Sequence, residues 1–144
     1  MRSSLLSLVL IAAGLAAALP ALSQKKPAKT VWDGVYTADQ ATRGLDTYKN
    51  KCAGCHAADM NGGPGAPAIS GPAFLFNWNN KTAAELFDYI HTMMPPGEAG
   101  SISDRRYVDL IAAILKTSEF PAGKADLPSD PAALQDILIL REKP

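Results

Sequence analysis

The residues best suited to chemistry lie in one short run, Cys52-Ala53-Gly54-Cys55-His56. C-x-x-C-H is the attachment motif of c-type haem: two thiols three positions apart add to the two vinyl groups of the porphyrin, and the adjacent imidazole coordinates the iron. The thioether bonds retain the macrocycle even in a small chain. The motif therefore predicts one haem, with its iron, attached covalently at Cys52 and Cys55 and coordinated by His56.

Other uses of the cysteine pair compete with this interpretation. A disulfide between residues three apart is possible in an exported chain, and dithiol oxidoreductases use the same C-x-x-C spacing. The oxidoreductase motif belongs to a βαβ setting, which the sequence pattern does not show. A structural zinc site lacks a fourth ligand, because the only other histidine is His91. The five-residue motif favours haem over each of these alternatives.

A second axial ligand must come from elsewhere in the chain, and four residues compete: Met60, His91, Met93 and Met94. A methionine thioether raises the reduction potential relative to a second histidine. Met60 is too close to the attachment motif to reach the opposite face of the porphyrin easily. Met94 precedes Pro95 and should leave the helix in an extended conformation, free to turn towards the iron. The sequence favours Met94, with Met93 as the alternative and His91 behind both.

A helix must carry the motif. Thr37 and Gln40 have the spacing of a capping box, and small or apolar residues then recur every three or four positions as far as Cys52. This pattern predicts a helix that ends at the haem motif. The stretch 61–71 is rich in Gly and Pro, which indicates a loop with fixed turns.

Two further helices are expected after that loop. Thr82 and Glu85 form a second capping box, and the helix they open should end at residues 95–97, Pro-Pro-Gly. A third helix should begin near Ser103 and run past Leu115. With no strand-helix alternation, the prediction is an all-α fold of three main helices plus short helices and loops wrapped around one haem. Residues 132–140 could form a last helix, and 137–140 could equally be a short strand.

The N-terminal region resembles an export signal. Arg2 precedes an apolar run from Leu5 to Leu19, and small residues follow Pro20. The run is shorter than the roughly 20 residues of a membrane span, so a cleaved signal over 1–23 is favoured over a retained anchor, with a periplasmic product and no stable membrane insertion. We expect a linker at 24–30, a domain at 31–123 and an extension at 124–144. The extension is apolar enough to pack on the domain, although docking on a partner is the alternative.

Charge excludes one class of partner. The chain has 14 Lys plus Arg and 14 Asp plus Glu, and without Arg2 the formal charge is −1. Binding to nucleic acid normally requires a basic excess, which is missing. Two cysteines are also too few for a disulfide scaffold.

Several motifs resemble class I c-type cytochromes, and most closely the small haem domains or subunits associated with periplasmic quinoprotein (PQQ-type) alcohol dehydrogenases. The resemblance covers about residues 31–123. Its elements are Gly34-Val35-Tyr36-Thr37, Gly44-x-x-x-Tyr48, the motif at 52–56, Gly62-Gly63-Pro64-Gly65-Ala66-Pro67, Gly71-Pro72-Ala73-Phe74, Met94-Pro95-Pro96-Gly97 and Phe120-Pro121-Ala122-Gly123.

This resemblance implies roles for further residues. Gly44 would lie where the first and last helices cross, with Tyr48 and Tyr107 packed alongside. The carbonyl of Pro67 would accept a hydrogen bond from His56 and fix its tautomer. Trp78 and Asn79 would hydrogen-bond a haem propionate, although simple burial explains Trp78 equally well.

The implied function is electron transfer without a catalytic residue of its own. A quinoprotein dehydrogenase would be the electron donor, and a cytochrome or terminal oxidase the acceptor. The chain could also be the haem subunit of an enzyme complex. Two alternatives remain: a gas-binding haem protein with a displaceable axial Met, and a metal-free interaction module with a Cys52–Cys55 disulfide.

Overall fold

The computed structural model describes residues 29–144, and within that range helices dominate the fold. The expected export signal at 1–23 and the first part of the linker lie outside the described residues. The helices are α1 (Ala38–Lys51), α2 (Ala53–His56), α3 (Gly71–Trp78), α4 (Ala83–Met93), α5 (Asp104–Thr117) and α6 (Pro131–Leu134), and a 3₁₀ turn spans Val31–Asp33. Two short parallel strands, β1 (Lys29–Thr30) and β2 (Ile137–Leu138), pair with each other. The prediction of an all-α fold with three main helices, here α1, α4 and α5, is confirmed.

The centre of the fold is the crossing of α1 and α5. Gly44 on α1 faces the backbone of α5, and a Cβ atom at Gly44 would lie 1.8 Å from the carbonyl oxygen of Asp109. Only a residue without a side chain permits this approach. Every residue of α5 from Tyr107 to Leu115 is buried. The expected crossing of the first and last main helices at Gly44 is therefore present.

Of the two capping boxes predicted from the sequence, one is present in full and the other only in part. At Thr82 the full capping box with Glu85 is present. The Thr37 hydroxyl accepts from the backbone N–H of Gln40 at 3.0 Å, but the Gln40 side chain does not return to Thr37. It is buried and instead bonds both the N–H and the carbonyl of Leu127, at 2.7 and 3.2 Å. The prediction of a reciprocal box at Thr37 was wrong because a tertiary partner occupies the glutamine.

Helix α3 was not predicted from the sequence. It begins at Gly71, directly after the Gly- and Pro-rich loop, with Pro72 in its first turn, where proline is tolerated because that N–H has no helical partner. Phe74 anchors the helix in the core. Trp78 and Asn79 lie at its C-terminal end.

The C-terminal segment is part of the core. Leu127, Leu134, Ile137 and Ile139 are buried with the helical side chains. Of the two possibilities for 132–140, a single helical turn followed by strand β2 is observed. Lys29 and Thr30, which the sequence places in the linker, form strand β1 and pair with Ile137 and Leu138. The side chains of this short Lys-rich stretch do not predict the strand pairing, because the pairing uses only backbone groups.

No helix within residues 29–144 is long and apolar enough to cross a membrane.

Candidate cofactor site

The C-x-x-C-H motif occupies one tight turn at the end of α1. The N–H of Cys52 donates to the Tyr48 carbonyl at 2.8 Å, so the first cysteine is the C-cap residue of α1. The N–H groups of Cys55 and His56 then donate to the carbonyl of Cys52 at 3.1 and 3.0 Å. Both cysteines are free, Cys52 half-buried and Cys55 exposed. Two thiols and one imidazole are thus presented from a single helical turn.

The histidine of the motif is oriented by the following loop. Nδ1 of His56 lies 2.8 Å from the carbonyl oxygen of Pro67, and the imidazole is 9% exposed. A carbonyl can only accept, so Nδ1 carries the proton and Nε2 keeps its lone pair, the form that binds a metal. Nε2 has no hydrogen-bond partner among residues 29–144. Two free thiols beside an imidazole held in this tautomer are a donor set that fits covalent haem.

The electrostatics of Cys52 oppose the dithiol alternative. Burial, followed by the neighbouring Cys55, raises the pKa of the Cys52 thiol to about 11. Redox-active C-x-x-C pairs require a lowered pKa, because the thiolate is the attacking species. The shift at Cys52 has the opposite sign, which disfavours a thioredoxin-like role.

Met94 lies where α4 gives way to extended chain. It caps α4 with φ −129° and ψ 144°, and is half-buried. The Tyr107 hydroxyl donates to the Met94 carbonyl at 2.9 Å and accepts from the N–H of Gly100 at 3.0 Å. Tyr107 therefore fixes the backbone of the residue favoured as the second ligand. Sequence reasoning assigned Tyr107 only a packing role, because no local motif signals a bond between residues 13 positions apart.

The competing residues are placed differently. Met93 is on the last turn of α4 and is 54% exposed. His91 stacks on Phe87, and its Nε2 is 3.4 Å from a carboxylate oxygen of Asp104. Met60 is 1% exposed and belongs to the core. Of the four candidates, Met94 is thus the one at the end of α4, whereas His91 and Met93 lie on the helix and Met60 lies in the core.

A second group of polar atoms lies at the end of α3. The Trp78 ring packs against Phe74 and Tyr89, and Lys81 Nζ lies 5.0 Å from its centroid. Within the described part of the chain, the indole N–H of Trp78 has no protein acceptor. The Asn79 side chain is half-buried, and its oxygen accepts from the N–H of Arg141 at 2.8 Å. This corner holds N–H donors suited to a carboxylate.

Over residues 29–144, no cluster of three or more His, Cys, Asp or Glu side chains is arranged to hold a metal ion directly.

The helical fold is that of a class I cytochrome c domain. Residues 39–112 match the family model described as "Cytochrome C oxidase, cbb3-type, subunit III". The chain belongs to this family of c-type cytochrome domains, and membership implies covalently bound haem and electron transfer.

Comparison with solved structures gives a weaker likeness. The sulfane dehydrogenase SoxCD from Paracoccus pantotrophus matches with a TM-score of 0.45 and 20% identity, over 74% of this chain and 60% of that one. The chain thus corresponds to about three-fifths of the SoxCD chain it resembles. No curated protein sequence matches significantly.

Proposed function

We propose that this protein is a periplasmic monohaem cytochrome that carries single electrons between larger redox proteins. The observation that carries the proposal is the 2.8 Å contact between His56 Nδ1 and the Pro67 carbonyl, immediately beside two free thiols. An imidazole held in this tautomer on a C-x-x-C-H turn is prepared to bind iron. The export signal proposed for 1–23 accords with attachment of haem outside the cytoplasm.

The roles of the chain's residues follow from their positions. Cys52 and Cys55 would form the thioether bonds, and His56 and Met94 would be the axial ligands. When bound, haem supplies a one-electron ferrous/ferric couple. If His56 and Met94 both bound the iron, no position would remain on it for substrate or dioxygen, and the chain would need no catalytic residue.

Access for partners is expected near Cys55. Its side chain is exposed while that of Cys52 is half-buried. We propose that the haem edge attached at Cys52 and Cys55 is where a partner approaches, through a small interface. Transient redox complexes use such small interfaces, which permit rapid release after transfer.

We propose a quinoprotein dehydrogenase as the electron donor and another cytochrome or a terminal oxidase as the acceptor. The resemblance of residues 31–123 to haem domains of quinoprotein alcohol dehydrogenases supports the donor. The family description names an oxidase subunit, which supports an acceptor of that class. The chain could perform the same transfer as a subunit of a dehydrogenase complex.

The test is reduction of the purified ferric protein by a purified quinoprotein dehydrogenase and its substrate, followed by absorbance in a stopped-flow instrument. We expect reduction within the turnover time of the dehydrogenase, and no carbon monoxide binding to the reduced protein. Rapid binding of carbon monoxide together with no reduction by the dehydrogenase would reject the carrier in favour of a gas-binding protein.

A further inference from the structure

The C-terminal tail is hydrogen-bonded to the turn that follows α3. The N–H of Asn80 donates to the Ile139 carbonyl at 2.8 Å, and the N–H of Ile139 donates to the Lys81 carbonyl at 2.8 Å. The N–H of Arg141 donates to Oδ1 of Asn79 at 2.8 Å. Three bonds thus join the tail at 139–141 to the turn at 79–81.

The tail is also held from its other side. The indole N–H of Trp32 donates to the Leu140 carbonyl at 3.0 Å, and strand β2 pairs with β1 just before it. Ile139 is fully buried. The backbone N–H of Arg141 is therefore presented to Asn79 from a fixed segment.

This contact determines which way the Asn79 amide faces. A backbone N–H can bond only to the oxygen of an amide, so Oδ1 must face Arg141. The Nδ2 group, with two N–H donors, then lies on the other arm of the amide, and among residues 29–144 it has no acceptor. Asn79 is half-buried and these donors reach solvent, so they are free to bond an acceptor that a ligand brings.

We propose that the tail is a positioning element of the haem site: the backbone N–H of Arg141 orients the Asn79 amide so that Nδ2 donates to a haem propionate. The inference rests on the proposed function, since the acceptor belongs to the cofactor. A carboxylate is the matching acceptor because it has no donor of its own when ionised. Lys81, 5.0 Å from the Trp78 ring centroid, adds positive charge at the same corner.

The decisive variant is Arg141→Pro, which removes the N–H while leaving the rest of the backbone in place. Its control is Arg141→Ala, which removes the guanidinium but retains the N–H. The measurement is the nuclear Overhauser effect between the Asn79 Nδ2 protons and the propionate methylene protons in the reduced holoprotein. We expect this effect in the parent and in Arg141→Ala, and its loss in Arg141→Pro.

A second pair of variants tests the amide directly if the proline variant does not fold. Asn79→Asp retains an oxygen for the Arg141 N–H but replaces the Nδ2 donors with negative charge. Asn80→Asp adds the same charge one residue away. We expect Asn79→Asp to lower the midpoint potential well beyond Asn80→Asp, with the Arg141 amide still protected from hydrogen exchange.

The outcomes separate this inference from the proposed function. Haem attached, but an Overhauser effect absent from the parent or undiminished in Arg141→Pro, would overturn the tail's role alone. Equal potentials in the two aspartate variants would do the same. If no haem is attached to the exported chain, both the function and the tail's role are rejected.

Discussion

At the scale of residues, the choice of second ligand determines what the iron can bind. Met94 and Met93 are adjacent in sequence, but one caps α4 in extended conformation and the other is exposed on its last turn. The position of Met94 at the helix end could be predicted from the proline that follows it. The bond from Tyr107 to the Met94 carbonyl could not, because it depends on how α5 packs.

Replacing Met94 by Leu should remove the thioether from the iron, since Leu matches its volume but has no donor atom. We expect loss of the far-red sulfur-to-iron band of the ferric protein, a lower potential, and carbon monoxide binding after reduction. Met93→Leu is the matched control and should retain the band. Loss of the band in Met93→Leu alone would transfer the ligand role to Met93.

At the scale of elements, the packing of α1 against α5 forms the centre of the core. The capping residues and the helix that ends at Cys52 could be predicted from local sequence, because hydrogen bonds within a few residues determine them. Helix α3 and the tertiary partner of Gln40 could not. The Gln40 side chain is hydrogen-bonded to Leu127, which is 87 positions away in the sequence. A contact between residues so far apart leaves no local sequence pattern from which it could be predicted.

Gly44→Ala tests the crossing. Its Cβ would lie 1.8 Å from the Asp109 carbonyl oxygen, so the helices must separate, at a cost of about 3 kcal/mol or more in the free energy of unfolding. Gly65→Ala is the control, because Gly65 lies outside the haem motif and a Cβ there meets no atom within 4 Å. Denaturant unfolding of the two holoproteins measures the difference. Equal stabilities would show that the crossing is looser than described.

A carboxylate cluster beside this crossing predicts acid sensitivity. The Thr37 hydroxyl, followed by Arg43, lowers the pKa of Asp126 below 3.8, its ordinary value. A carboxyl group whose pKa is lower in the folded state than in the unfolded state stabilises the fold at pH values above its unfolded-state pKa. This stabilisation is lost as the pH falls through the folded-state pKa. The buried Asp109 also pairs with Arg43, at 3.2 Å.

Asp126→Asn should therefore flatten the decline in unfolding free energy below pH 3.8. Asp88→Asn, on the exposed face of α4, is the control and should keep the parent slope. Denaturant unfolding at a series of pH values measures both. A parent-like slope in Asp126→Asn would assign the acid sensitivity to other carboxylates.

At the scale of the whole molecule, the C-terminal segment completes the core and pairs with the first described residues, Lys29 and Thr30. The apolar character of this segment was visible in the sequence, but its path was not, because one helical turn and one two-residue strand are too short to show a periodic pattern. The path brings Ile139 into the core and Arg141 to Asn79.

Ile139→Ala should reduce the free energy of unfolding by about 2–5 kcal/mol, because it leaves a cavity at a fully buried site. Leu138→Ala, its half-buried neighbour on β2, should cost less. Thermal or denaturant unfolding distinguishes them. A negligible effect of Ile139→Ala would mean that the tail is only loosely attached to the domain in solution.

The mass of the exported protein, produced in a host that matures c-type cytochromes, tests the central claim most directly. We expect a coloured protein whose denatured mass exceeds that of the mature polypeptide by one haem, with the excess absent when Cys52 and Cys55 are both replaced by Ser. A colourless product at the mass of the bare polypeptide would contradict covalent haem at this motif and the electron transfer built on it.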